Sequence, residues 1–270
     1  MKSYKKLFTT GLIQASMSKR PNFVNYLKEL GFVQFADNPS QLWANIYAHI
    51  FDCFRYEYIF KNEILKMFYS DIMRNNKTLL NEVELIQDGI VHNILDLLLI
   101  TGGEAHAIEI KSDFDTFQRL DNQLPMYSKL FQYVSVFVSE DKVNSLINYI
   151  DNIGFDNVGV IALCDTRIET IRSPKDNSTI IDKQLLLDNI NNPIFSYSML
   201  NSIGIEELYS IWIGELKNKA TVDVGFINAM PDALKFYAFS HRPTPLKRSR
   251  FIKYFNNQRN ILYQPTQYSE

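Results

Sequence analysis

The sequence predicts an α/β fold with a mixed central sheet and a helical C-terminal region. Three observations point to it. Apolar residues recur at three-and-four spacing through residues 41–74, as they do on one face of a helix. Short runs rich in Val, Ile and Leu follow at 83–86, 94–100, 105–111, 133–139 and 158–163, with helix-like stretches between the last three. After Ser173, Pro174 and Lys175 the texture changes, and residues 180–219 read as helical, with breaks at Asn192-Pro193 and Gly204.

Each element has a local reason. Residues 22–30 form an amphipathic pattern that Gly31 closes, and Asp37, Asn38, Pro39 and Ser40 read as a turn. The helix at 41–74 places Trp43, Ile46, Tyr47, Ile50, Phe51 and Phe54 on one face, then Tyr58, Ile64, Leu65, Met67 and Phe68, and Asn75, Asn76 and Lys77 end it. Gly102-Gly103 between two strand-like runs signals a hairpin. Residues 115–131 and 142–153 read as helices, and 167–172 as a short extra strand. The predicted organisation is an N-terminal extension at 1–40, a core at 41–175 and a helical region with a basic tail at 176–270.

Composition excludes several classes. Hydrophobic residues make up 46% of the 270, enough for a core, and a net charge of −2 excludes a disordered polyelectrolyte or a uniformly basic coat protein. Cys53 and Cys164 are the only cysteines, too few for a disulfide framework or a thiolate zinc cluster, and they fit a reducing cytoplasm. His49, His92, His106 and His241 lack metal-ligand spacing. No secretory leader is recognisable and no run approaches the roughly 18 apolar residues of a membrane span. A cytoplasmic protein with no membrane partner is expected.

Asp96 lies inside the apolar run 94–100, and a carboxylate there carries a cost that asks for a reason. If Gly102 and Gly103 are the hairpin loop, cross-strand partners have numbers summing to 205, so Asp96 faces Glu109. Alternation then puts Glu109 and Lys111 on the same sheet face as Asp96, with cross-strand Cβ atoms about 5 Å apart. Two carboxylates opposite one another destabilise a sheet unless something neutralises them. A divalent cation would, and magnesium accepts one or two carboxylates plus substrate phosphate. On this reading Asp96 and Glu109 ligate metal, and Lys111 orients water or stabilises developing charge. Removing one of the repelling carboxylates is expected to raise the stability of the metal-free protein. The bland alternative is a solvated sheet face with an ordinary salt bridge.

Asp96, Glu109-Ile110-Lys111 and, on the next helix, Gln123-Leu124-Pro125-Met126-Tyr127 together resemble the PD-(D/E)XK nuclease superfamily, the last segment matching its QxxxY motif. Two other Glu-x-Lys triplets, Glu140-Lys142 and Glu215-Lys217, lack that context. The stretch from Glu109 through Ser112, Asp113, Asp115 and Arg119-Leu120 is similar to a group of largely uncharacterised bacterial members. The resemblance covers about 41–165. It implies a restriction-endonuclease-like αβββαβ core and Mg²⁺-dependent cleavage of nucleic acid, DNA by preference, with Mn²⁺ able to substitute. It also implies a bacterial defence or mobile-element setting, Gln123 supporting the site, and a further carboxylate on the first helix. Glu57 is the candidate for that carboxylate, with Glu82 and Glu84 competing. A homodimer or a protein partner is left open.

The C-terminal stretch from His241 carries Arg242, Lys247, Arg248, Arg250, Lys253 and Arg259 among Phe251, Tyr254, Phe255 and Tyr263, with no acid before Glu270. Cations interleaved with aromatics can track phosphates and stack bases, whereas a solvated basic tail would do neither. The rival to an enzyme is a nuclease-derived module that binds or regulates without cutting, or a subunit active only with a partner. The hairpin register makes one firm prediction: Asp96, Glu109 and Lys111 converge on one face, and a structure with Asp96 and Glu109 on opposite faces would remove the basis of the site.

Overall fold

A computed structural model describes residues 6–18, 21–32, 38–53, 55–165, 167–191 and 196–256. Asp37, Phe54, the Asn192-Pro193 break, Arg259 and Tyr263 lie outside the described residues. The chain divides into two compact units, one of residues 1–62 with 222–270 and one of 63–221.

In chain order the helices before the sheet are α1 (Thr10–Met17), α2 (Pro21–Glu29), α3 (Pro39–Cys53) and α4 (Glu57–Met73). The single helix expected at 41–74 is thus two. Arg55 donates from Nε to the Phe51 carbonyl at 3.3 Å, so a side chain takes one of the last acceptors of α3. The strands are β1 (Lys77–Gln87), β2 (Ile90–Thr101) and β3 (Glu104–Ile110), followed by α5 (Leu120–Leu130), β4 (Tyr133–Ser139), α6 (Val143–Asn152), β5 (Gly159–Cys164) and β6 (Arg167–Arg172). The C-terminal helices are α7 (Lys183–Asn189), α8 (Tyr197–Ser202), α9 (Ile205–Lys219), α10 (Val224–Ala229), α11 (Lys235–Ser240) and α12 (Pro245–Asn256).

The fold is mixed α/β, as expected, with a six-stranded sheet in the order β1-β2-β3-β4-β5-β6. The first three strands are antiparallel, β3-β4-β5 are parallel, and β6 returns antiparallel. The β2–β3 register is the one derived from the glycine loop, with Leu97 opposite Ile108, Leu98 opposite Ala107 and Thr101 opposite Glu104. β1 and β2 are much longer than their apolar runs and meet at Asp88-Gly89, both with positive φ (54° and 74°). An Asp-Gly pair is a strong two-residue hairpin signal, and it marks a turn that apolar patterning alone misses.

The sheet of the second unit is buried on both faces. Leu98, Ile100, Ala107, Val134, Val136 and Val160 pack in one cluster with Leu124 and Leu130 of α5, Leu146 and Ile150 of α6, Leu186 of α7 and Trp212 of α9. The alternate residues Leu97, Leu99, Ile108, Ile110 and Phe137 are buried on the other face, as parallel strands require. Each fully buried Leu or Val contributes about 1.5–3 kcal/mol of apolar transfer.

The first unit is helical and aromatic-rich. Phe8 stacks on Tyr58 at 4.1 Å between centroids, and Phe226 meets Phe251 edge-on at 5.8 Å. Asn62 is fully buried. Its Nδ2 donates to the Asp232 carbonyl at 3.0 Å and its Oδ1 accepts from the Phe236 backbone N–H at 2.9 Å, joining α4 to the turn before α11.

His106 on β3 pairs with Ser135 of β4 (Nε2 to Oγ, 2.8 Å). Burial lowers its pKa from 6.5 to about 4. The folded state thus favours neutral imidazole, so the stability it protects is complete above pH 6.5 and is lost as pH falls toward 4. His106→Gln is expected to flatten the pH dependence of urea unfolding across that window, which in the native protein spans at most roughly 3–4 kcal/mol. An unchanged slope in the variant would assign the effect elsewhere.

Candidate active site

The site lies at the end of β3, on the sheet face that α5 covers. Alternation along β3 turns Glu109 toward α5, on the side of Ala107, and Ile108 and Ile110 toward the opposite face. The parallel pairing with β4 runs one step past β3, because Lys111 N–H donates to the Phe137 carbonyl at 3.0 Å. This holds the Lys111 backbone in extended register and returns its side chain to the Glu109 face.

Glu109 and Lys111 are both 3% exposed. Lys111 Nζ donates to Glu109 Oε1 at 2.6 Å and to Gln123 Oε1 at 2.9 Å. Gln123 Nε2 donates to the same Glu109 oxygen at 2.7 Å, and the Tyr127 hydroxyl donates to Glu109 Oε2 at 3.0 Å. The amide orientation follows from its neighbours, since the carbonyl must face the ammonium and the NH₂ the carboxylate. Four residues separate Gln123 from Tyr127, so both lie on one helix face. Pro125 sits within α5 and does not turn that face away. Burial, followed by the charge of Glu109 and its hydrogen bond and then by Asp96, pushes the Tyr127 phenol well above its ordinary value, so it remains a donor.

Asp96 is half-buried at the edge of this cluster. The continuous β2–β3 ladder ends at Leu97–Ile108, one pair short of Asp96–Glu109. There the carboxylate takes over from the backbone, with Asp96 Oδ2 accepting from the Ile110 N–H at 2.8 Å. The β1–β2 ladder is interrupted at the same level: Asn81–Leu97 and Val83–Leu95 pair, and Glu82 between them has φ of 54°. A left-handed non-glycine residue costs of order 1–3 kcal/mol and is retained where the surroundings over-determine it.

Asp96, Glu109, Lys111 and Gln123 therefore share one site region. Of the other sequence candidates, Glu82 stands at the β1 position across from Asp96, between the Asn81–Leu97 and Val83–Leu95 pairs. Glu82 and Glu84 are exposed on β1. Glu57, half exposed, belongs to the first unit and pairs with Lys61 at 2.5 Å. Among the described residues no three His, Cys, Asp or Glu side chains are grouped to hold a metal ion. Asp96 and Glu109 are the carboxylates on β2 and β3, with Glu82 at the level of Asp96 on β1, and hard carboxylate oxygens suit magnesium completed by water and phosphate.

Sequence reasoning missed the support beneath this site. Tyr127 was legible as part of a motif but not as the partner of Glu109. The expected helix start at 115 is instead a loop, because Asp115 Oδ2 accepts from Ser112 N–H at 2.9 Å and from Ser112 Oγ at 2.5 Å. Lys142, at the end of a short turn before α6, donates to the Ser112 and Asp115 carbonyls at 2.7 and 2.9 Å. The available signal was the Ser-x-x-Asp spacing, which favours such side-chain-to-backbone turns. Among the cations of α12, Arg248 is held by Asp223 (Nε to Oδ2 2.7 Å, Nη2 to Oδ1 3.0 Å), which keeps that carboxyl below its usual range. Arg242, Lys247, Arg250 and Lys253 are exposed.

The expected stabilisation on removing one carboxylate does not suit this geometry. Glu109 compensates a buried Lys111, and deleting one partner of a buried pair strands the other charge. Glu109→Gln is expected to lower metal-free stability by about 3–5 kcal/mol, and Glu109→Gln combined with Lys111→Met to recover much of it. Urea denaturation of the two single variants and the double variant measures this. Additive losses would mean that the pair is not coupled.

Comparison with known proteins adds a family. No curated protein matches the chain. A solved structure from Silicibacter pomeroyi, a protein of unknown function, aligns at 16% identity and a TM-score of 0.29, over 39% of this chain and 64% of the other. This chain thus spans less than two thirds of that protein's length. The family model described as bacteriophage P4 protein cII matches residues 52–207, more than half of the chain and a span within which the site lies. The chain belongs to the bacteriophage P4 protein cII family.

Proposed function

We propose that this protein is a metal-dependent phosphodiesterase of PD-(D/E)XK type acting on nucleic acid, DNA by preference. The observation that supports the reading is the joining of Lys111, Glu109 and Gln123 by bonds of 2.6–2.9 Å beside a half-buried Asp96 at the end of a strand. Magnesium held by Asp96 and Glu109 would supply positive charge to the scissile phosphate. The remaining roles fall to the chain itself. Lys111 provides a buried ammonium where an attacking water or a developing negative charge needs one. Gln123 and Tyr127 fix the Glu109 carboxylate in one orientation. The fixed turn at 112–115 holds the backbone just beyond Lys111. The family's description as a bacteriophage protein supports a mobile-element setting.

A second reading, a nucleic-acid-binding or regulatory module that does not cut, is favoured by one specific observation. Both Glu109 oxygens are already engaged, Oε1 by Lys111 and Gln123 and Oε2 by Tyr127.

Incubation with linear, circular and single-stranded DNA and with RNA, with Mg²⁺ or a chelator, separates the two. The expected result is Mg²⁺-dependent cleavage that Asp96→Asn abolishes. Asp96→Asn is the cleaner probe because asparagine retains an acceptor for the Ile110 N–H. Lys111→Ala is expected to reduce kcat about 10²–10³-fold with a smaller effect on metal affinity. Full activity in either variant refutes the assignment, and binding without cleavage under all conditions favours the module.

A further inference from the structure

The first unit contains a cavity of about 350 Å³ between α1 and α12. Gly11, Gln14 and Ser18 form one wall, being spaced as one face of α1, and Lys247, Arg250 and Phe251 of α12 form the other. Phe251 is buried, and the Tyr254 hydroxyl donates to the Ser16 carbonyl at 3.1 Å, so the two helices are fixed to each other. Among the described residues no acid lines the cavity.

The charges on α12 are sorted. Arg248 points to Asp223 and is neutralised there. Lys247 and Arg250, three residues apart and facing the cavity, have no ion-pair partner among the described residues. Two like charges at that spacing repel by a few tenths of a kcal/mol, and an anion between them reverses the sign. Gln14 and Ser18 add neutral polar groups, and a Cβ placed on Gly11 would meet nothing within 4 Å. The volume lies at the small end of ligand sites, about 300–1,000 Å³, which suits a phosphate with its adjoining sugars. A guanidinium beside an ammonium matches phosphate chemistry.

We propose that this cavity binds a backbone phosphate of nucleic acid, held by Lys247 and Arg250. The identity of the ligand rests on the nucleic-acid reading above. The cation pair and the open glycine floor do not.

The open floor supplies the test. Gly11→Glu introduces a negative charge at a position where the added Cβ meets nothing within 4 Å, and Gly11→Gln is its neutral isostere. Both replace glycine with a better helix former, and an acid in the first turn of α1 is favourable to the helix, so loss of fold would not explain loss of binding. Thermal melting confirms that. Binding of a fluorescently labelled duplex and of a single strand is measured by anisotropy, in chelator so that no cleavage occurs, over a salt series. Gly11→Glu and the Lys247→Ala, Arg250→Ala double variant are expected to bind severalfold or more weakly. The log–log salt slope is expected to flatten by about one unit for each phosphate that the variant no longer engages. Gly11→Gln should match the native protein. Native binding with identical affinities and slopes in every variant overturns the cavity while leaving the nucleic-acid reading in place. Failure of the native protein to bind any oligonucleotide removes that reading together with this ligand. Calorimetry with pyrophosphate completes the test, because charge-sensitive pyrophosphate binding without oligonucleotide binding assigns a free phosphate compound and overturns the proposal.

Discussion

The ion pair between Lys111 and Glu109, almost wholly withdrawn from water, is the interaction on which the centre of this molecule depends. Neither charge could be buried alone, because desolvating a single ion costs several kcal/mol. Their mutual attraction repays that only when the remaining lone pairs and protons are also satisfied. α5 meets this requirement with Gln123 and Tyr127 on one face. The placement of α5 over the sheet is thus a polar constraint as well as an apolar one: Leu124 and Leu130 hold it by packing, and Gln123 and Tyr127 fix its register against β3.

Around this pair the sheet gives up regularity. The β2–β3 ladder stops at Leu97–Ile108, and the Asp96 carboxylate replaces a backbone acceptor for the Ile110 N–H. At the same level β1 carries a left-handed Glu82. A strand end with a side-chain carboxylate woven into its hydrogen bonding is held firmly yet remains partly open to solvent. A site that must receive a charged ligand while keeping its own charges in fixed positions needs both properties.

The helical unit sorts its charges by different means. Its α12 cations are not a uniform basic surface. Arg248 is neutralised internally by Asp223, and Lys247 and Arg250 face a cavity that no acid lines among the described residues. Composition could not distinguish these roles, because both kinds of residue lie within one turn of a short helix.

Much of the fold was legible in the sequence because it rests on short-range rules. Gly102-Gly103 fixes the β2–β3 register, and that register alone places Asp96, Glu109 and Lys111 on one face. Continuous β-prone apolar runs mark β4 and β5, which are buried on both faces, and helical spacing marks α6 and α9, which each bury one face. The boundaries that failed were set by single side-chain bonds and by one turn. Arg55 donates to a carbonyl in the last turn of α3, Asp115 closes a turn onto Ser112, and Asp88-Gly89 joins two strands that run beyond their apolar runs. Only the tertiary structure decided that Glu109 answers to Lys111, Gln123 and Tyr127 rather than repelling Asp96, and that Asn62 is an internal strut. The physical reason is that the sign of a buried polar residue's contribution depends on which donors and acceptors reach it. Those partners lie 12, 14 and 18 residues away around Lys111 and Glu109 and 174 residues away for Asn62, distances over which local patterning carries no information.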